Sequence, residues 1–165
     1  MSKNNDRFLE TELWAMKEDR MIMIRADTFI NIQKTIEEDY GEGADALLYE
    51  CGIEAGRSSA RVLLDEWEER DMDFLTKWSK FYGAEGVGWF EVESFKRQGK
   101  CVANLAITRS FIAEGYGKAD HAVCHFLAGF FVGVFWNSCG THLSCEEIYC
   151  QAKGDKTCTF VFEPI

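Results

Sequence analysis

From Ala119 to Ser138 the chain is apolar almost without interruption. Ala122, Val123, Phe126, Leu127, Phe130, Phe131, Val134, Phe135 and Trp136 leave no polar face for solvent. A helix of this kind must be covered on every side, so the pattern predicts a central helix around which other elements pack. Its longest unbroken apolar run, Phe126 to Trp136, is far shorter than the roughly 20 residues of a membrane span. Gly129 and Gly133 stand four apart within it, and Gly52 and Gly56 repeat the spacing upstream. Glycine pairs inside helices permit close backbone approach, which predicts tight helix packing in both places. Gly140 fits the C-cap of the central helix.

The rest of the chain supplies partners for it. A short strand is expected around Arg20 to Arg25. A helix then starts at Asp27 or Thr28, with Phe29, Ile32 and Ile36 at helical spacing, and ends at Gly41-Glu42-Gly43. Ala44 to Glu69 reads as a longer helix with Leu47, Leu48, Cys51, Ala55, Ser58, Val62 and Trp67 near one face. Asp71 to Tyr82 gives a third, carried by Phe74, Leu75, Trp78 and Phe81. Val87 to Lys96 and Cys101 to Ile112 read as strands joined by a turn at Arg97-Gln98-Gly99-Lys100, and Thr141 to Phe162 as two more around Lys153-Gly154-Asp155. With 165 residues and no linker, the expectation is an N-terminal extension over residues 1–24 and a single domain over 25–165.

Charge and cysteine usage narrow the function. A net charge of −10 disfavours nucleic acid and a polybasic membrane anchor. The polar opening residues Met1 to Asp6 do not resemble a signal peptide, which leads to an expectation of a cytoplasmic protein. There, seven cysteines point to free thiols or metal ligands before disulfides. No nucleophile–base pair, phosphate-binding glycine loop or dinucleotide fingerprint is visible, so no catalytic residue is assigned. Asp65 to Asp71 reads as a solvated charged face, and Cys51 and Cys101 as small core residues.

The densest chemistry is Cys145-Glu146-Glu147-Ile148-Tyr149-Cys150, followed by Cys158. Thiolates beside a carboxylate suit zinc. If the last strands pair symmetrically about Gly154, Cys150 faces Cys158, close enough to share an ion or to form a cross-strand disulfide. Glu147 then needs a bulge or turn at Ile148-Tyr149 to reach the same face. A fourth ligand is offered by His121, Cys124 and His125 on one face of the central helix, Cys124 being preferred for softness. Cys139 and Cys145, flanking a short loop with His142, are a secondary pair of thiols.

Three segments resemble the 4-vinyl-reductase domain family, a branch of the fold shared with TRAPP tethering subunits and haem–nitric-oxide sensors. They are Leu47-Leu48-Tyr49-Glu50-Cys51-Gly52-Ile53-Glu54-Ala55-Gly56-Arg57, Val123-Cys124-His125-Phe126-Leu127-Ala128-Gly129-Phe130-Phe131-Val132-Gly133 and Glu147 to Phe160. The resemblance spans roughly residues 25 to 163 and implies an α+β fold, a twisted antiparallel sheet with helices packed against it. It implies a zinc ion on Cys124, Glu147, Cys150 and Cys158, with Glu146 one residue out of step. It also implies a homodimer and an apolar pocket for a small hydrophobic or aromatic molecule, with Trp78, Trp89 and Phe111 as candidate lining residues.

Three functions compete on that basis. The leading expectation is a zinc-containing ligand sensor that passes its signal to a separate regulatory protein, with no nucleic acid or membrane partner. The first alternative is an enzyme or accessory factor in tetrapyrrole vinyl-group reduction, and the second a structural adaptor of the TRAPP type.

Overall fold

In the computed structural model, residues 22–165 are described apart from 85, 100 and 141. Five helices, α1 (Ala26–Tyr40), α2 (Ala44–Glu66), α3 (Asp71–Tyr82), α4 (Phe111–Tyr116) and α5 (His125–Cys139), accompany strands β1 (Glu91–Gln98), β2 (Cys101–Thr108), β3 (Leu143–Tyr149) and β4 (Cys158–Pro164). The strands form one antiparallel sheet in the order β1-β2-β4-β3, so the fold is α+β as expected. Most of the proposed extension, and the start of the strand expected from Arg20, lie outside the described residues; residues 22–25 are in neither helix nor strand.

The apolar helix is central. One side of α5 meets the sheet, with Phe131 against Phe160 and Phe135 against Phe162, both at 5.0 Å between ring centroids. Another side meets α2 at backbone distance. A Cβ built on Gly52 or Gly56 would overlap the carbonyl oxygens of Phe126 or Phe130, and one on Gly129 or Gly133 those of Tyr49 or Ile53. The two glycine pairs therefore face each other across a single helix crossing. The buried ridge of α2 is Ala44, Leu48, Gly52, Gly56, Ala60 and Leu63, a repeat of small residues. The apolar face expected there was turned: Cys51 is exposed and Leu47 is 37% exposed. Small side chains sit inside because backbone contact, not side-chain volume, fills the seam.

Other boundaries differ for local reasons. Helix α1 starts one residue before Asp27, whose carboxylate pairs with Arg25 at 2.7 Å in place of capping, and buries Ile30 and Gln33 while Ile32 is 51% exposed. Strand β2 stops at Thr108, because Arg109 takes a positive φ of 53° and Ser110 caps the short helix α4. The central helix begins only at His125, with Cys124 as its N-cap and not inside it.

The glycine seam makes a direct prediction. Gly56→Ala or Gly129→Ala should lower stability by about 1–3 kcal/mol through overpacking against backbone. Gly43→Ala, with open space around the new methyl and an ordinary φ, should be neutral or slightly stabilising. Urea unfolding of the three variants against the parent checks both halves.

Candidate metal centre

Four side chains from separate elements converge at the N-terminus of α5. Cys124 is the N-cap, Glu147 lies on β3, Cys150 follows β3, and Cys158 opens β4. Their ligand atoms all lie within 4.8 Å of one another. The three cysteines are fully buried and Glu147 is partly so.

The hairpin produces this arrangement through two irregularities. The β3–β4 register shifts between Glu147, opposite Phe160, and Tyr149, opposite Thr159. That bulge is what lets Glu147 and Cys150 serve one site despite their odd spacing. After Cys150 the chain forms a single 3-10 turn, Gln151–Lys153, and reverses at Gly154, whose φ of 98° suits glycine. Asp155 fixes the corner by accepting the Cys150 N–H at 2.9 Å, and Ala152 is tied to the loop before α5 by accepting the Ala119 N–H at 2.9 Å.

Electrostatics inside the cluster are unfavourable without a cation. Glu147 Oε2 accepts the Cys124 N–H at 2.9 Å, but its Oε1 is buried with no partner. Burial, and then the charge of Cys150, push the Glu147 carboxyl up to about 8. Burial also raises the Cys124 thiol well above its ordinary value, whereas hydrogen bonds from Cys124 and Cys158 lower that of Cys150. Three thiols and a carboxylate thus crowd one proton-rich pocket. The donor set fits zinc: Zn–S bonds of about 2.3 Å in a tetrahedron space sulfurs about 3.8 Å apart. Cys124 Sγ and Cys158 Sγ stand at 3.8 Å. The orphaned Glu147 oxygen supplies the oxygen donor.

The other sequence candidates stand apart. His121 pairs with exposed Asp120 at 2.9 Å, and His125 Nε2 meets the Ala122 carbonyl at 2.9 Å and Asp45 at 3.4 Å. Moving the helix start to His125 removes the shared face on which His121 was expected. Glu146 is exposed, and the Cys145 N–H donates to the Tyr49 hydroxyl at 3.0 Å. The pocket candidates divide. Trp89 and Phe111 line a cleft of about 190 Å³ with Ile24, Arg25, Phe29 and Val87. Trp78 is fully buried and backs that wall through Tyr82, with centroids at 5.6 Å and then 5.0 Å to Trp89.

Sequence reasoning missed the residues that hold the sulfurs. Ser110 Oγ lies 3.4 Å from Cys124 Sγ, and the Gln151 N–H donates to Cys158 Sγ at 3.3 Å. The signal for Ser110 was faint: a serine before Phe111-Ile112-Ala113-Glu114 and a closing Gly117, bounding a helix of 6 residues.

Residues 104–164, which contain all four donors, match the model of the 4-vinyl-reductase domain. The chain carries a 4-vinyl-reductase domain. Solved structures extend the likeness beyond the matched segment. The phenol-responsive sensory domain of the transcription activator PoxR, solved with phenol, is similar with a TM-score of 0.75 at 18% identity, over 99% of this chain and 92% of that one. A vinyl-4-reductase family protein from Methanocaldococcus jannaschii is similar at 0.61 and 16%, over 100% and 97%. At these identities the likeness establishes the fold. Among curated proteins, none matches.

The raised Glu147 carboxyl predicts a pH dependence for the metal-free 4-vinyl-reductase domain. Between about pH 4.5 and 8 the folded state keeps a proton that the unfolded chain has released, so stability falls as pH rises through that window. Urea unfolding of reduced, metal-free protein should show this fall, and Glu147→Gln should flatten it.

Proposed function

We propose that this chain is a sensory domain that holds a small hydrophobic or aromatic molecule and is braced by a structural zinc ion on Cys124, Glu147, Cys150 and Cys158. The observation that carries the metal half is the buried Glu147 oxygen without a partner, set among three thiols at tetrahedral spacing. Four protein donors leave no open position for water, so the ion's chemistry is to fix the hairpin and neutralise the cluster. The residues themselves do the rest. Cys124 pins the start of α5, Glu147 and Cys150 hold the bulged end of β3, and Cys158 holds the start of β4.

The ligand half rests on the cleft beside this clamp. Trp89 and Phe111 present tilted rings at 5.5 Å, with Phe29 edge-on to Phe111 at 5.3 Å. Such walls suit a flat apolar molecule. The fold match to a sensory domain solved with phenol supports the same class of ligand. In this reading residues 25–165 act as one domain, dimerise, and pass the bound state to a separate regulatory protein in the cytoplasm. No helix among the described residues is long and apolar enough to cross a membrane.

Two measurements test the halves separately. Metal analysis of purified protein should give one zinc per chain, and Cys158→Ser should lose it together with much of the thermal stability. Fully folded metal-free protein would sink the metal reading. Calorimetric titration with phenol should show binding that Trp89→Ala or Phe111→Ala weakens about tenfold, near 1.4 kcal/mol. Undiminished binding by both variants would place the ligand elsewhere.

A further inference from the structure

We propose that Ser110 is a positioning residue for the metal centre: its hydroxyl donates a hydrogen bond to the Cys124 sulfur and ties the aromatic cleft wall to the metal-binding hairpin. This rests on the metal reading above.

Ser110 is fully buried, and its Oγ stands 3.4 Å from Cys124 Sγ. The same oxygen accepts the Ala113 N–H at 3.3 Å as the N-cap of α4. That bond uses a lone pair and leaves the hydroxyl proton for another acceptor. A thiolate bound to a metal has no proton to give. The direction is therefore fixed, with Ser110 donating and Cys124 accepting.

The opposite sulfur is served in the same manner. The Gln151 N–H donates to Cys158 Sγ at 3.3 Å, and Gln151 Oε1 accepts the Ser110 N–H at 3.4 Å. Ser110 and Gln151 thus form a linked pair, each sending one donor to one sulfur. Donors of this kind orient metal ligands and tune their basicity. The next residue carries the connection outward: the Phe111 N–H donates to the Trp89 carbonyl at 2.9 Å, joining the two aromatic walls of the cleft. The preceding residue, Arg109, takes a φ of 53°, a conformation that non-glycine residues keep only when their surroundings impose it. Its side chain reaches only the partly exposed Glu91, at 3.0 Å. The constraint lies in the backbone that delivers Ser110 between the sulfur and the helix.

Capping α4 alone would also account for a buried serine, and the two roles differ in what they do to the sulfur. Reduced, metal-free full-length chain is titrated with cobalt(II), whose absorption reports thiolate ligation, in the parent, Ser110→Ala and Ser110→Thr. A hydrogen bond stabilises the thiolate lone pair, so its loss should move the sulfur-to-cobalt charge-transfer band to lower energy. Ser110→Ala is expected to show that shift and a cobalt affinity lower by about tenfold or more, and Ser110→Thr to restore both. An unshifted band and unchanged affinity in Ser110→Ala, with only a lower unfolding temperature, would reduce Ser110 to a helix cap and overturn the inference. Should Ser110→Ala not fold, NMR of the cadmium-loaded parent decides. A slowly exchanging Ser110 hydroxyl proton coupled to cadmium supports the bond. Its absence where the Gln151 amide shows such coupling contradicts it. A parent chain that takes up no stoichiometric cobalt would overturn the metal reading, and this inference with it.

Discussion

Helix α5 has no face that water can wet, and it can be buried only if the sheet covers one side and another helix the other. The second cover is possible because Gly52 and Gly56 on α2 meet Gly129 and Gly133 on α5 at backbone contact. Side chains at those positions would hold the helices apart and open the core to solvent. The seam also fixes where α5 begins. Its N-cap, Cys124, is carried to the point where the bulged end of β3 and the start of β4 bring Glu147, Cys150 and Cys158.

What assembles there is costly as a collection of protein groups alone. A carboxylate with one unpartnered oxygen and three buried thiols repel further ionisation, which is why Glu147 is pushed up and Cys124 with it. A divalent cation reverses that logic, since it favours the deprotonated form of every donor at once. The proposed clamp therefore gains most of its strength from groups that destabilise the metal-free fold. Ser110 and Gln151 bring donors to two of the sulfurs, and through Phe111 the same backbone reaches Trp89 in the cleft.

Much of this was legible in the sequence where one residue type admits few explanations. The all-apolar helix, the paired glycines, the turn at Gly154 and the need for a bulge between Glu147 and Cys150 each follow from local chemistry. The face of α2 was not legible, because a hydrophobic count favours Leu47 and Cys51 over glycines whose burial depends on a distant helix. The start of α5 was missed for a related reason: Ala122 and Val123 are as apolar as the helix, and nothing local says that Cys124 caps it. Helix α4 was hidden inside an apparent strand, since Phe111 and Ile112 suit either element and the positive φ at Arg109 is set by its surroundings. With it went Ser110. Trp78 was expected beside Trp89 and Phe111 as a lining residue, but helical spacing cannot separate a pocket wall from the core behind it.

If three sulfurs and one carboxylate oxygen hold a zinc ion at the junction of α5 with the final hairpin, the metal's own coordination shell must say so. X-ray absorption fine structure of the zinc-loaded chain reads that shell most directly. It should show three sulfurs at about 2.3 Å and one oxygen at about 2.0–2.2 Å, with the oxygen replaced or lost in Glu147→Ala. A shell containing imidazole nitrogen, or one unchanged by that substitution, would contradict the assignment.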